Sequence, residues 1–193
     1  MSGHQEKPRS CVAASLVNMV WELYSQYNNE LTDFYSQYNI SMDWNPNNPD
    51  SDKPPLEAYW RSELGGEEIG NWLWDGSGAN MTKANQVLNK YLNKIDPAHR
   101  LPRYEVVNPF QKEHIKKVDI GPIMYATQLD IDYYRPDEGQ QAPTENPWHA
   151  EVLLRKGNSK YSGRPYVVAD SARTTLWYAT NDMLTKMMDK TRL

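Results

Sequence analysis

Four residues in the sequence have types and positions that suit nucleophilic catalysis: Cys11, His149, Asp170 and Gln5. Cys11 is the single cysteine of the chain, and it stands where a polar segment gives way to an apolar-periodic one. Ser10 is a favourable N-cap, so Cys11 is expected in the first turn of a helix. A thiol there loses its proton more easily, because the helix dipole and the unpaired N–H groups favour an anion.

His149 and Asp170 are expected on neighbouring strands. The segment from Trp148 to Leu154 alternates between apolar and other residues, and the apolar run that begins at Tyr166 ends in Asp170. A hairpin between these strands would bring the carboxylate close to the imidazole. Thiol catalysis needs such a pair, since the base must reach the thiol and a third group must fix the imidazole tautomer.

These residue types predict a division of roles. Cys11 as thiolate and His149 as imidazolium form the reactive resting pair, and His149 then protonates the leaving amine. Gln5 lies six residues before the cysteine, near enough for its amide to turn back toward the sulfur. The Gln5 amide and the Cys11 backbone N–H are the expected donors to the oxyanion.

The order of these residues resembles the papain-like cysteine peptidases. It comprises a glutamine, five intervening residues, a cysteine at a helix start, a later histidine on a strand, and an aspartate that ends the next strand. Within that clan the order is more similar to the bacterial C39-like and the staphopain or IgG-cleaving branches than to papain proper. The resemblance implies that Cys11 is the nucleophile, His149 the base and acid, Asp170 the orienting group and Gln5 the oxyanion donor. The chain departs from these families at Val12, where they usually place Gly or Trp.

The expected fold class is α+β, with one papain-like domain over residues 1–193. A helical lobe over about residues 1–100 would carry the cysteine and face a mainly antiparallel β lobe over about residues 101–193. Helices are predicted at 10–27, 56–64, 67–74, 80–93, 111–118 and 183–190, and strands at 103–107, 121–127, 148–155, 165–169 and 174–179.

Composition narrows the function classes. A net charge of −4 with a pI near 5.6 gives no general attraction to nucleic acid, so the expected partner is a protein or peptide substrate.

One cysteine excludes an internal disulfide and a multi-thiolate zinc site, and no stretch reaches the roughly 18 apolar residues of a membrane span. The first ten residues are polar, without a signal-peptide pattern. We expect a mature domain or signal-free effector that acts outside the producing cell, or a cytosolic protein.

Alternative interpretations stay open at this point. The cysteine could be an inert buried hydrophobe, His149 a structural histidine, and Asp170 a turn residue. A metal site from these three has no supporting ligand spacing, and no cofactor is expected.

The leading function is hydrolysis of peptide or isopeptide bonds. The alternatives are acyl transfer on the same triad, as in transglutaminase-like effectors, and an inactive papain-like module that binds peptides or glycans; Gln5 favours the hydrolase.

Overall fold

The computed structural model describes residues 11–26, 57–64, 81–107, 111–129, 145–157, 163–170 and 176–189. The predicted helix at 67–74 lies outside these ranges, as do Ser10, with its predicted N-cap, and Gln5. In these ranges helices combine with an antiparallel four-stranded sheet, which is the α+β class that the sequence predicts.

Helices make up most of the described residues in the first half of the chain. The α-helices are α1 (Cys11–Gln26), α2 (Glu57–Leu64), α3 (Met81–Ile95) and α4 (Asn181–Asp189), and a 3₁₀ helix spans Lys112–Asp119. Helix α1 carries apolar residues around most of its circumference and is almost wholly buried, whereas α3 buries one stripe. No helix in the described ranges has the length and apolar character that crossing a membrane requires.

The sheet contains four strands in the order of the chain. They are β1 (Ile123–Leu129), β2 (Glu145–Lys156), β3 (Tyr166–Asp170) and β4 (Leu176–Ala179), and each is antiparallel to its neighbour. The hairpin that the sequence predicts between the histidine strand and the aspartate strand is confirmed as the β2–β3 pair.

Both faces of the sheet are covered, because side chains alternate between the faces along each strand. One face packs against α1, and its cluster includes Leu16, Val20, Ala150, Val152 and Ala169. The other face packs against the 3₁₀ helix and α4, and its cluster includes Ile115, Val118, Leu153, Val168, Leu184 and Met187.

Two polar contacts fix α1 on β2. The buried Ser15 hydroxyl donates to the carbonyl oxygen of Ala150 over 3.0 Å. Two turns further along α1, Arg155 Nη1 donates to Glu22 Oε2 over 2.5 Å. The contacts lie near the two ends of the helix, so they restrain both its position along the strand and its rotation.

The structure corrects two local predictions. The strand predicted at 103–107 is wrong, because this segment joins no sheet. The Asn89 side chain instead forms two hydrogen bonds with the backbone of Tyr104. It accepts from the Tyr104 N–H over 2.9 Å and donates to the Tyr104 carbonyl over 2.7 Å. The last helix begins at Asn181, earlier than predicted, and its cap is Thr180, whose Oγ1 accepts from the Met183 N–H over 3.1 Å.

Candidate active site

Cys11 is the first residue of α1, as the sequence predicts. It is 8 % exposed, and the helix behind it is anchored by Val12, Ala13 and Leu16, which are all fully buried. The first turn of α1 contains no acidic residue, so none of its own carboxylates neutralises the positive end of the helix dipole.

His149 lies on β2 with its imidazole against the carboxylate of Asp170, the last residue of β3. Its Nε2 is 2.5 Å from Asp170 Oδ1, and the Asp170 side chain is almost completely buried. The strand register pairs Asp170 with Glu151, so the imidazole reaches its partner diagonally across the β2–β3 pair. The bond to Asp170 fixes the ring orientation and leaves Nδ1 for a further partner.

The Cys11 side chain lies close enough to the His149 imidazole to act on its pKa as a hydrogen-bonding and charged neighbour. Burial opposes a charge on the ring and lowers the pKa of His149, but the hydrogen bonds and the negative charges of Asp170 and Cys11 outweigh it and raise the pKa to about 11. The ring therefore carries a proton over the physiological range when the thiol is ionised. The structure thus brings Cys11, His149 and Asp170 together.

Sequence reasoning missed two further members of this polar group, Glu151 and Tyr125. Glu151 is 1 % exposed, and Tyr125, on β1, donates its hydroxyl to Glu151 Oε2 over 2.5 Å. Burial and then the neighbouring charges of Glu151 and Asp170 raise the pKa of Tyr125 well above its ordinary value, so the phenol stays protonated. The available signal was an acidic residue two positions after His149, between the apolar residues Ala150 and Val152.

His149, Glu151 and Asp170 are also the residues that could offer ligands to a metal ion. One ligand atom from each lies within 4.8 Å of the others. The bonds from His149 to Asp170 and from Tyr125 to Glu151 already engage these groups. The arrangement is accounted for as a hydrogen-bonded network, in which the histidine supplies the positive charge.

A cavity of about 300 Å³ lies between α3, residues 102–107 and the start of β1. Its lining includes Met19, Leu88, Tyr104 and Ile120, and it does not include Cys11, His149 or Asp170. The cavity borders the polar group at Tyr125 and does not reach the thiol among the described residues.

Comparison with known proteins gives no match, whether to a protein-family model, to a curated protein or to a solved structure.

Proposed function

We propose that the chain is a papain-like cysteine peptidase that hydrolyses peptide or isopeptide bonds with Cys11, His149 and Asp170. The observation that carries the proposal is that the Cys11 side chain neighbours the His149 imidazole, which is itself bonded to the buried Asp170 carboxylate. An inert buried cysteine is surrounded by apolar side chains. Cys11 belongs to the apolar cluster around α1, but it also neighbours an imidazole that is bonded to a buried carboxylate, which is the arrangement that thiol catalysis requires.

The proposed acylation step uses the ion pair as its starting state. The Cys11 thiolate attacks the carbonyl carbon of the scissile bond, forming a C–S bond and a tetrahedral oxyanion. The Cys11 backbone N–H and the Gln5 amide are the proposed donors to that oxygen. As the C–N bond breaks, the His149 imidazolium gives its proton to the nitrogen, and the amine leaves with a thioester on Cys11.

Deacylation reverses the proton movements with water as the nucleophile. Neutral His149 accepts a proton from a water molecule while the water oxygen attacks the thioester carbonyl carbon. The C–S bond then breaks, the acid product leaves, and the thiolate–imidazolium pair is restored. Asp170 holds the ring in one orientation through both steps and stabilises the imidazolium.

Cleavage mapping with a peptide library tests the proposal. We expect the wild type to cleave a subset of peptides, and Cys11→Ala and His149→Gln to lose turnover while remaining folded. Asp170→Asn should retain more activity than either, since it removes the charge and keeps the shape. His99→Asn is the matched control: it removes an imidazole at a position with positive φ, which Asn tolerates well.

The same experiment separates the alternatives. Incorporation of an added amine into the acyl group, without net hydrolysis, would assign an acyltransferase. Peptide capture without cleavage, together with a folded protein whose thiol does not react with an epoxide probe, would assign a binding module. Either result would reject the peptidase.

A further inference from the structure

Glu151 is a buried acid that the proposed reaction does not use. It follows His149 by two residues on β2, so both side chains are on the same face of the sheet. Full burial of a carboxylate is costly unless hydrogen bonds or an opposite charge compensate for it. The neighbours of Glu151 should therefore include groups that compensate for the burial of its carboxylate.

The partners lie in one row across the sheet. Tyr125 on β1 is opposite Glu151, and Glu151 is opposite Asp170 on β3. Directly opposed side chains have Cβ atoms about 5 Å apart, which places the phenol, the glutamate and the aspartate in sequence across three strands. His149 is the diagonal neighbour that completes the group.

The charges of this group need compensation. Asp170 and Glu151 are two buried carboxylates that lie opposite one another on neighbouring strands. The Tyr125 hydroxyl donates to one of them, and the His149 ring can supply a positive charge to both. Described residues of the 3₁₀ helix and α4 that pack on this face are apolar: Ile115, Val118, Leu184 and Met187.

We propose that Glu151 is a positioning residue, whose carboxylate, held by the Tyr125 hydroxyl beside Asp170, adds a second negative charge near the His149 ring and favours the protonated imidazole. The polar group then comprises Cys11, His149, Asp170, Glu151 and Tyr125. This inference rests on the proposed function, because the protonated ring matters as the partner of the thiolate.

NMR titration of the His149 ring tests the proposal without any substrate. The Cys11→Ala background removes the thiol, so that the ring responds only to the carboxylates. The chain has four histidines, and loss of one signal in His149→Gln assigns the resonance. We expect Glu151→Gln to lower the titration midpoint of His149 by about one pH unit or more, as removal of a nearby charge does.

Glu22→Gln is the matched control. Glu22 is also a buried glutamate, but it pairs with Arg155 on the opposite face of the sheet. Glu22→Gln should leave the titration midpoint of the His149 ring unchanged. If Glu151→Gln shifts the midpoint no more than Glu22→Gln does, the proposal is overturned, and Glu151 is then a neutral structural group.

Tyr125→Phe provides a second variant should Glu151→Gln fail to fold. Loss of the hydroxyl makes ionisation of Glu151 less favourable, so the His149 midpoint should fall in the same direction by a smaller amount. An unchanged midpoint in folded Tyr125→Phe would count against the proposal. Failure of the proposed function would be visible elsewhere, as an unreactive Cys11 in the wild type.

Discussion

The Ser15 hydroxyl donates a hydrogen bond to the carbonyl oxygen of Ala150 over 3.0 Å, and this bond joins the helix of Cys11 to the strand of His149. Ser15 lies about one helical turn after the cysteine, and Ala150 follows the histidine directly. The bond is buried, so water does not compete for it. It sets the relative position of the two segments that must deliver a thiol and an imidazole to one another.

We predict that Ser15→Ala lowers both the alkylation rate of Cys11 and the unfolding free energy. Loss of a buried hydrogen bond costs about 1 to 3 kcal/mol of unfolding free energy. A misplacement of about 1 Å between reacting groups can cost about a hundredfold in rate. Alkylation rates and denaturant unfolding of the same samples measure the two effects.

Thr185→Ala is the control for that variant. The Thr185 hydroxyl donates to the Asn181 carbonyl within α4, away from the thiol. It should lower stability slightly and leave the alkylation rate of Cys11 unchanged. Equal rate losses in the two variants would show that Ser15 acts only through general stability.

Gln5→Ala should lower kcat about a hundredfold, with little effect on folding, because removal of one oxyanion donor costs about 10² to 10³ in rate. Gln5→Glu is an informative companion: it keeps the size of the side chain but places a negative charge where the oxyanion forms. Steady-state kinetics on a cleaved library peptide measure both. Full activity in Gln5→Ala would remove Gln5 from the mechanism.

The sequence predicts those parts of the fold that local patterns determine. The apolar periodicity of residues 12–24 and of 84–95 predicts α1 and α3, and the apolar alternation of 148–154 predicts β2. The contrary case is Tyr104, whose surroundings resemble a strand. Its backbone is instead bonded to Asn89, a side chain fifteen residues away, and no local pattern shows such a contact.

The candidate site divides in the same way. Cys11 and Asp170 were predictable because they stand at the start of α1 and the end of β3, and His149 because it lies within the alternating segment 148–154. Glu151 was not assigned a role, because its partner Tyr125 belongs to another strand, and the strand register brings the two together. Gln5 stays a prediction from the sequence.

The stability of Cys11→Ala should fall as the pH rises above about 6.5. Because Asp170 raises the pKa of His149, the folded state keeps a proton that the unfolded state has lost. The stabilisation is complete below the unfolded pKa and is lost as the pH passes through the folded one. The slope cannot exceed about 1.4 kcal/mol per pH unit for one proton.

Denaturant unfolding between about pH 6 and pH 9 measures this slope. The double variant Cys11→Ala/His149→Gln is the control, because it lacks the titrating ring. Its unfolding free energy should fall less steeply with pH than that of Cys11→Ala. Equal slopes in the two proteins would mean that Asp170 does not raise the pKa of His149.

Asp96→Ala should lower the unfolding free energy by about 3 kcal/mol, the lower range for breaking a buried ion pair. The buried Asp96 carboxylate accepts from the Leu101 N–H over 2.7 Å and from Arg103 Nη1 over 3.2 Å, so it holds the chain as it leaves α3. Lys117→Ala removes the exposed pair with Glu105 and should change little. Similar losses in both variants would contradict the assigned role of Asp96.

Alkylation of Cys11 as a function of pH tests the central claim most directly. The chain has one cysteine, so the rate of iodoacetamide incorporation reports on that thiol alone and needs no substrate. An ordinary thiol gains reactivity with a midpoint near about pH 8.5. If His149 holds Cys11 as a thiolate, the wild type should already react rapidly near about pH 6, and His149→Gln should return the midpoint to the ordinary range. Profiles that coincide in folded wild type and folded His149→Gln would contradict the account.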